Sequence, residues 1–417
     1  MKRKKVKEIV INSGLVICSI VFLYLILELV AFRFFMQWLP LRTYAFLDPG
    51  IRIFAQSSKR GTIPHDYALI LGDWFLDANK NTNPDFHSAH VIHNDTGMDV
   101  INFGYAGADS LRGLVAFPKP YFDYSKKTIL YDLEQPKYII VYFYEGNDLD
   151  DNVREIDVRF KGRYDFSQIY DTEYFRKFLE EEVVVHYSLH ESVKNFRFKD
   201  NFFVYKYIKA LLENFRDIRK IETTKWPLGG YGPWMTEPYE NGSPPYKKQM
   251  GIVPDGDQNK VIINDEEIKI PDGLQGPGLE LSDEQIDLAV YVFGQSLHYL
   301  REQFPETKIG VVYIPSPLSS YQISSEVVSI SPYDHRVSEL IYDAPFLHER
   351  SNSVFSKIKG AVDEQNIKLI DLRPLVLEYT KKKVIHGPQE WFHFNKEGHA
   401  LLGRAVINLI HDLNAGR

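Results

Sequence analysis

Residues Tyr138 to Tyr144 read YIIVYFY, and the turn Glu145-Gly146-Asn147-Asp148 follows directly. Seven consecutive apolar or aromatic residues that end at a turn are typical of a strand buried on both faces, as in a parallel sheet. The turn leaves polar side chains at the carboxyl end of the strand, where parallel α/β sheets carry their functional loops. This stretch therefore predicts a central strand with a candidate site beside its last residue.

Runs of the same kind occur on both sides of this strand. The other predicted strands are Tyr67–Leu71, Asp99–Gly104, Lys308–Pro315 and Ile367–Leu372. Helices are predicted over Ser110–Phe117, after an N-cap at Ser282, and over Ser351–Asp363. Strands that alternate with helices predict an α/β fold with a parallel sheet.

Residues 151–282 interrupt this alternation. They contain a predicted helical region over Glu191–Ile218 and a predicted hairpin over Lys260–Ile270. Between these lies a stretch rich in Gly, Pro and aromatic residues, Trp226 to Tyr246, whose rings could stack on sugars or simply pack on one another. We interpret 151–282 as an insertion that could cap the site.

The first forty residues predict a membrane anchor. Five basic residues within residues 1–8 precede an apolar stretch, Ile9 to Leu27, which continues past Glu28 to an aromatic cluster at Phe34–Trp38. At about 1.5 Å per residue, such a helix nearly spans a hydrocarbon core of ~30 Å. The flanks favour an uncleaved single-pass anchor over residues 9–38, with the N-terminus in the cytoplasm and the main domain in the periplasm or outside the cell. The predicted organisation is therefore an anchor (1–40), a tether (41–66), a first half-domain (67–150), the insertion (151–282) and a second half-domain (283–417).

Charge and cysteine content exclude several classes of protein. The whole chain has a net charge of −7, and the chain without residues 1–8 has a net charge of −11, which is unsuited to binding nucleic acid. Cys18 is the only cysteine, so the chain can form neither an internal disulfide framework nor a cysteine-based metal site. His87, His90 and His93 are spaced by three residues on a predicted helix. Without acidic or cysteine partners nearby, we interpret them as a solvated face and expect neither a metal nor a cofactor.

The run Glu390-Trp391-Phe392-His393-Phe394-Asn395-Lys396-Glu397-Gly398-His399 places an acid three residues before a histidine. An apolar helix, Ala400 to Leu413, is predicted to follow. A loop that presents a histidine and a carboxylate together is typical of a hydrolase with a general base and its orienting acid. We therefore predict His393 and Glu390 as candidate catalytic residues.

Four stretches in this order resemble the four sequence blocks of the SGNH (GDSL-type) hydrolases. They are Ile70-Leu71-Gly72-Asp73, Asn102-Phe103-Gly104-Tyr105-Ala106-Gly107, Gly146-Asn147-Asp148 and the run around His393. The resemblance covers about residues 67–150 and 283–417. It implies a flavodoxin-like α/β/α sandwich and ester hydrolysis or O-acyl transfer, with cell-surface carbohydrate as the expected substrate. It also implies that His393 is the base, that Glu390 stands where the family has Asp, and that Gly107 and Asn147 donate to an oxyanion.

The first block departs from the family pattern. The family has Gly-Asp-Ser with a nucleophilic serine, whereas this chain has Gly72-Asp73-Trp74. An indole cannot attack a carbonyl to form an acyl-enzyme. Three explanations remain open: a protein that binds glycan without catalysis, a missing segment that carried the serine, or another nucleophile. Ser110 and Ser316 are weak candidates for the last, because their roles as an N-cap and as a turn residue after Pro315 explain them better.

Overall fold

The computed structural model describes residues 2–35, 53–55, 58–72, 87–104, 108–186, 191, 193–213, 257–330, 340–387 and 391–415. The strands in these ranges are β1 (Ala68–Leu71), β2 (Val100–Asn102), β3 (Tyr138–Tyr144), β4 (Lys260–Ile263), β5 (Glu266–Lys269), β6 (Lys308–Ile314), β7 (Val327–Ile330), β8 (Leu340–Asp343) and β9 (Lys368–Asp371). Five of them form one parallel sheet in the order β2-β1-β3-β6-β9. The predicted α/β fold with a parallel sheet is confirmed, and this strand order is that of flavodoxin-like sheets.

The helices of the described ranges are α1 (Lys2–Ile26), α2 (Ser88–Thr96), α3 (Pro118–Lys126), α4 (Asp148–Glu155), α5 (Thr172–Phe178), α6 (Phe203–Glu213), α7 (Asp283–Gln303), α8 (Ala344–Glu364), α9 (Arg373–Thr380) and α10 (Lys396–Ala415). π-Helical segments cover Leu27–Phe32, Leu111–Ala116, Ile156–Phe160 and Leu179–Val184. A short segment, Arg33–Phe35, is again α-helical, so helical backbone runs from Lys2 to Phe35.

Helices cover both faces of the sheet because its strands are apolar on both sides. Alternate residues of β3 point to opposite faces. Ile139, Val141 and Phe143 belong to a core that includes residues of α7 and α8. Ile140 and Tyr142 belong to a second core that includes residues of α2 and α10. Helices α2 and α10 approach so closely that a Cβ at Gly403 would lie 2.7 Å from Val91 Cγ1.

Several local predictions are confirmed by their hydrogen bonds. Ser282 caps α7, and its side chain and that of Gln285 form a capping box. Strands β4 and β5 form the predicted hairpin. Its two-residue turn, Asn264-Asp265, has φ values of 53° and 60°, the left-handed conformation that such turns require.

The N-cap prediction for Ser110 is wrong. Ser110 is itself helical, and its side chain makes no capping hydrogen bond. Asp109, one residue earlier, accepts from the backbone N–H of Arg112 at 3.0 Å and forms an ion pair with its side chain. The carboxylate is the better cap here because the Arg112 guanidinium also lies within its reach.

Among the residues that the structure describes, one helix is long and apolar enough to cross a membrane, judged by length and composition. The segment Val6–Phe32 has 27 residues, and an 18-residue window within it has a mean hydropathy of 2.7. Only 11% of this window is buried against the rest of the protein, so most of its apolar side chains face outward, unlike those of a core helix. The prediction of an apolar N-terminal helix is confirmed to this extent.

The C-terminal end of this helix lies at the amino-terminal edge of the sheet. A cleft of about 1020 Å³ is lined by Arg33 and Phe34 of the helix. The same cleft is lined by Asp99 and Lys137, which directly precede β2 and β3. The carboxyl ends of the strands, where the candidate site was predicted, are therefore at the opposite edge.

Candidate functional site

The turn after β3 is organised by two carboxylates of α4. Asp148 Oδ2 accepts from the backbone N–H of Tyr144 at 2.8 Å and thereby closes the turn. Asp151 Oδ2 accepts from Asn147 Nδ2 at 3.0 Å. Asp151 is fully buried and also pairs with Arg154. The side-chain amide of Asn147 is thus held in one orientation at the carboxyl edge of the sheet.

Glu145 attaches the same turn to the neighbouring strand. Its carboxylate is 1% exposed and accepts four hydrogen bonds. The donors are Tyr313 Oη at 2.7 Å, Ser316 N at 2.9 Å, Ser316 Oγ at 2.8 Å and Ser351 Oγ at 2.5 Å. A buried carboxylate is tolerated only with such partners. Because these donors belong to β6, the loop after it and α8, Glu145 ties the ends of two adjacent strands together.

The loop that carries His393 is attached to the start of α10 by Asn395. The side-chain oxygen of Asn395 accepts from the backbone N–H groups of Glu397 and Gly398 at 2.9 and 3.3 Å, as an N-cap does. Its side-chain nitrogen donates to the carbonyls of Val384 and His386. A Cβ at Gly398 would lie 2.6 Å from the Phe394 ring, so glycine is required there. The sequence Asn-Lys-Glu-Gly-His is therefore a helix-start signal.

Tyr144 brings the two loops together. Its hydroxyl lies 2.9 Å from the carbonyl oxygen of Phe392 and 2.8 Å from Oε1 of Gln275. Both oxygens are acceptors, so the hydroxyl is the donor in either contact. A Cβ at Gly146 would lie 2.5 Å from the same hydroxyl. The residue before Asn147 and the residue before His393 thus both contact Tyr144, and the two predicted residues lie at one edge of the sheet.

His386 lies beside this loop and is neutral. The Tyr321 hydroxyl accepts from the backbone N–H groups of Ile385 and His386, so its own proton points to His386 Nδ1 at 3.0 Å. The proton of the neutral imidazole is therefore on Nε2, which has no hydrogen-bond partner among the residues that the structure describes. Burial, together with the proximity of His393, lowers the pKa of His386 to about 3.

His399 is a second buried, neutral histidine. Its ring packs on that of His87 at a centroid distance of 4.4 Å. Burial lowers the pKa of His399 well below 6.5, and the nearby His87, His393 and His386 lower it further. Four imidazoles from three parts of the chain thus surround the carboxyl edge of the sheet, and two of them are held uncharged.

The interpretation of His87, His90 and His93 as a solvated face is wrong. His87 is buried and caps α2, accepting from the backbone N–H of Ala89. His90 Nδ1 lies 3.2 Å from Ser58 Oγ, and His93 Nδ1 lies 2.7 Å from the carbonyl of Met98. The histidine side of α2 faces α10 and neighbouring loops. Within the described ranges, no three His, Cys, Asp or Glu side chains are arranged to hold a metal ion.

The other predicted site residues have different outcomes. Asp73, Trp74, Gly107 and Glu390 lie outside the described residues, as does the aromatic stretch Trp226 to Tyr246. Ser316 is fully buried and engaged with Glu145, which explains it as a structural residue.

Sequence reasoning missed Tyr144, Gln275 and His386. Tyr144 had been assigned only to the strand, and Gln275 lies in the region interpreted as an insertion. His386 precedes His393 by seven residues, but no spacing rule marks it. The sequence offered one signal that could have marked such a residue, a polar group at the end of an apolar strand. It applies to Tyr144 alone.

Comparison of the chain with protein-family models, with curated proteins and with solved structures found no match. Any functional assignment therefore depends on the geometry of the site and on the resemblance carried by the four sequence stretches.

Proposed function

We propose that this chain is a membrane-anchored SGNH-like protein that acts on, or binds, acyl esters of cell-surface carbohydrate. The observation that carries the proposal is the contact of Tyr144 with the Phe392 carbonyl, since it joins the Asn147 turn to the His393 loop. In the SGNH arrangement these two loops supply the oxyanion donor and the general base. The parallel sheet in flavodoxin-like order supports the same assignment.

In this proposal Asn147 stabilises the oxyanion. Asp151 accepts a hydrogen bond from the Asn147 side-chain nitrogen at 3.0 Å and so orients this amide. An oxyanion donor must be oriented before the reaction, and removing one typically costs about 3 kcal/mol of transition-state stabilisation. Asn147 and His393 are 6% and 7% exposed, so bulk water is largely excluded from both side chains. Gly107 is the proposed second donor, and Glu390 the acid that orients His393.

The residue at position 74 leads to two forms of the proposal, one in which the protein is an enzyme and one in which it only binds. Hydrolysis or acyl transfer requires a nucleophile, which Trp74 cannot supply. The second candidate function is therefore recognition of an acylated glycan without turnover, within an assembly of the cell envelope. Trp74 is the specific observation that favours it, because an indole offers a flat apolar face for a sugar ring.

We place the protein in the inner membrane with its N-terminus in the cytoplasm and the sheet domain in the periplasm. The apolar segment Val6–Phe32 supports a single span, and the basic residues before it support this orientation.

The test uses the full-length chain in detergent or nanodiscs with an aryl acetate and with acetylated oligosaccharides. If the chain is an enzyme, His393→Ala abolishes ester turnover, whereas the matched change His348→Ala, at an exposed histidine of α8, leaves it unchanged. If the chain only binds, binding of the acetylated oligosaccharide is saturable without turnover and is weakened by Asn147→Ala. Installing serine by Trp74→Ser is then expected to produce esterase activity.

Two results would overturn the proposal. Ester hydrolysis that survives His393→Ala would rule out an SGNH-like mechanism with His393 as the base. If the chain neither hydrolyses nor binds any member of a panel of acetylated glycans, a carbohydrate ester is not its ligand.

A further inference from the structure

The end of the N-terminal helix is joined to α6 through a buried carboxylate. Glu28 is fully buried, although it lies within the apolar segment Val6–Phe32. Its carboxylate accepts from the backbone N–H groups of Phe203 and Val204, at 2.8 and 2.9 Å. The first N–H groups of a helix have no partner within the helix. Glu28 therefore caps α6 from a distant part of the chain.

Aromatic side chains reinforce this junction. The Phe32 ring stacks on that of Phe203 at 5.5 Å, and Tyr131 packs against both rings. Tyr24, two helical turns before Phe32, packs near Phe202 at 6.1 Å. Contacts at both Tyr24 and Phe32 fix the start of α6 at the level of the last turns of the N-terminal helix.

The side of α6 that faces away from the protein is apolar. Tyr205, Ile208 and Leu212 are exposed and lie three and four residues apart, so they share one helical face. Phe198 lies just before α6. The Asn201 side chain accepts from the backbone N–H of Ile129, which brings Ile129 to the same region. We call these five residues, Ile129, Phe198, Tyr205, Ile208 and Leu212, the α6 surface.

This surface contains the three most exposed large apolar side chains that the structure describes outside the N-terminal helix. Ile129 is 76% exposed, and Phe198 and Leu212 are each 71% exposed. Large apolar side chains exposed together in this way mark an interaction site.

The charge around the α6 surface is opposite to that of the whole chain. Residues 193–213 contain five basic and two acidic residues, whereas the chain has a net charge of −7. An amphipathic helix with Lys and Arg beside aromatic and aliphatic residues is typical of a helix that lies in the headgroup region of a bilayer. Anionic lipids attract such basic residues.

We propose that the α6 surface is a second membrane-contact site, which lies in the interface of the same bilayer that the N-terminal helix crosses. This inference depends on the proposed membrane anchor, because the anchor places the bilayer at the level of Tyr24 to Phe32. The occupant is lipid, since α6 begins beside the last turns of the anchor and carries basic residues next to its exposed apolar ones. The sheet domain would then be held at two points and could not rotate freely about the end of the helix.

The test uses the full-length chain in vesicles that contain brominated phosphatidylcholine, with and without phosphatidylglycerol. Cys18 is the only native cysteine and lies within the proposed span, so a fluorophore on it reports the anchor itself. In a Cys18→Ser background, fluorophores are placed at Phe198→Cys and Leu212→Cys. The matched control is Leu375→Cys, an exposed apolar position of α9, which follows the carboxyl end of β9.

We expect brominated lipid to quench the labels at positions 198 and 212 several-fold more strongly than the label at 375, and phosphatidylglycerol to increase the difference. Quenching at Cys18 with no excess at 198 and 212 would overturn the second contact and leave the anchor intact. No quenching at Cys18 would overturn the anchor and, with it, this inference. Labels at 198 and 212 that are shielded from both brominated lipid and aqueous iodide would show that protein, rather than lipid, covers the surface.

Discussion

The histidines around the candidate site differ in how their charge is controlled. His386 and His399 are fully buried, and burial is the main reason that the pKa of each is lowered. Tyr321 fixes the tautomer of His386. Two neutral rings beside His393 keep positive charge from accumulating there. A charged neighbouring ring would repel a proton from His393, so these neutral neighbours suit the general base that we propose there.

These lowered pKa values predict a loss of stability in acid. Below pH 6.5 the unfolded chain protonates both histidines, whereas folded His386 stays neutral until about pH 3. The unfolded state therefore binds more protons, and folding loses about 1.4 kcal/mol per pH unit for each such histidine. We expect His399→Phe to reduce the fall in Tm between pH 7 and pH 5, measured by thermal denaturation in detergent. The control His348→Phe should leave that fall unchanged. Parallel curves of Tm against pH for the wild type and both variants would contradict a lowered pKa of His399.

Among the elements, the strands of the parallel sheet and the start of α7 followed directly from local sequence, whereas α8 begins at Ala344 rather than at the predicted Ser351. The alternation of β3 residues between two cores and the capping box at Ser282 depend on neighbouring residues only. The junction between Glu28 and α6 did not follow, because its partners are 175 residues apart in the chain. In the sequence, Glu28 was only a polar interruption of an apolar stretch.

Removing this distant cap should loosen α6. In Glu28→Ala, the N–H groups of Phe203 and Val204 lose their acceptor, and loss of a helix cap typically costs about 1 kcal/mol. We expect amide hydrogen exchange in α6 to accelerate roughly five-fold in the full-length chain. Glu8→Ala changes an exposed acid on the same N-terminal helix and serves as the control. Unchanged exchange in α6 would mean that its aromatic contacts alone hold it.

For the whole molecule, the two edges of the sheet have different surroundings. The amino-terminal edge faces the cleft lined by Arg33 and the end of the N-terminal helix. The carboxyl edge carries Asn147 and the His393 loop. In the proposed orientation the candidate site opens away from the bilayer, which suits a glycan that extends from the surface better than a membrane lipid.

The height of the site above the membrane can be measured. The seven residues of β3 separate the two edges by roughly 20 Å, at about 3.3 Å per residue. A donor fluorophore at Lys396→Cys, beside the His393 loop, should therefore show much weaker energy transfer to an acceptor lipid than one at Asp132→Cys, beside the cleft. Both positions are exposed, and both variants use the Cys18→Ser background. Equal transfer from the two positions would contradict the proposed orientation.

The sequence by itself determined the α/β alternation, the buried strands, the polar turn after β3 and the apolar N-terminal helix. Each of these is a property of neighbouring residues, set by apolar periodicity and by glycine at the turns. Only the tertiary structure decided that Tyr144 joins the Asn147 turn to a loop 248 residues away, that Glu145 is a buried anchor, and that His386 and His399 are neutral. The physical reason is that hydrogen-bond partners and burial depend on which distant segments pack together, and no local pattern records that.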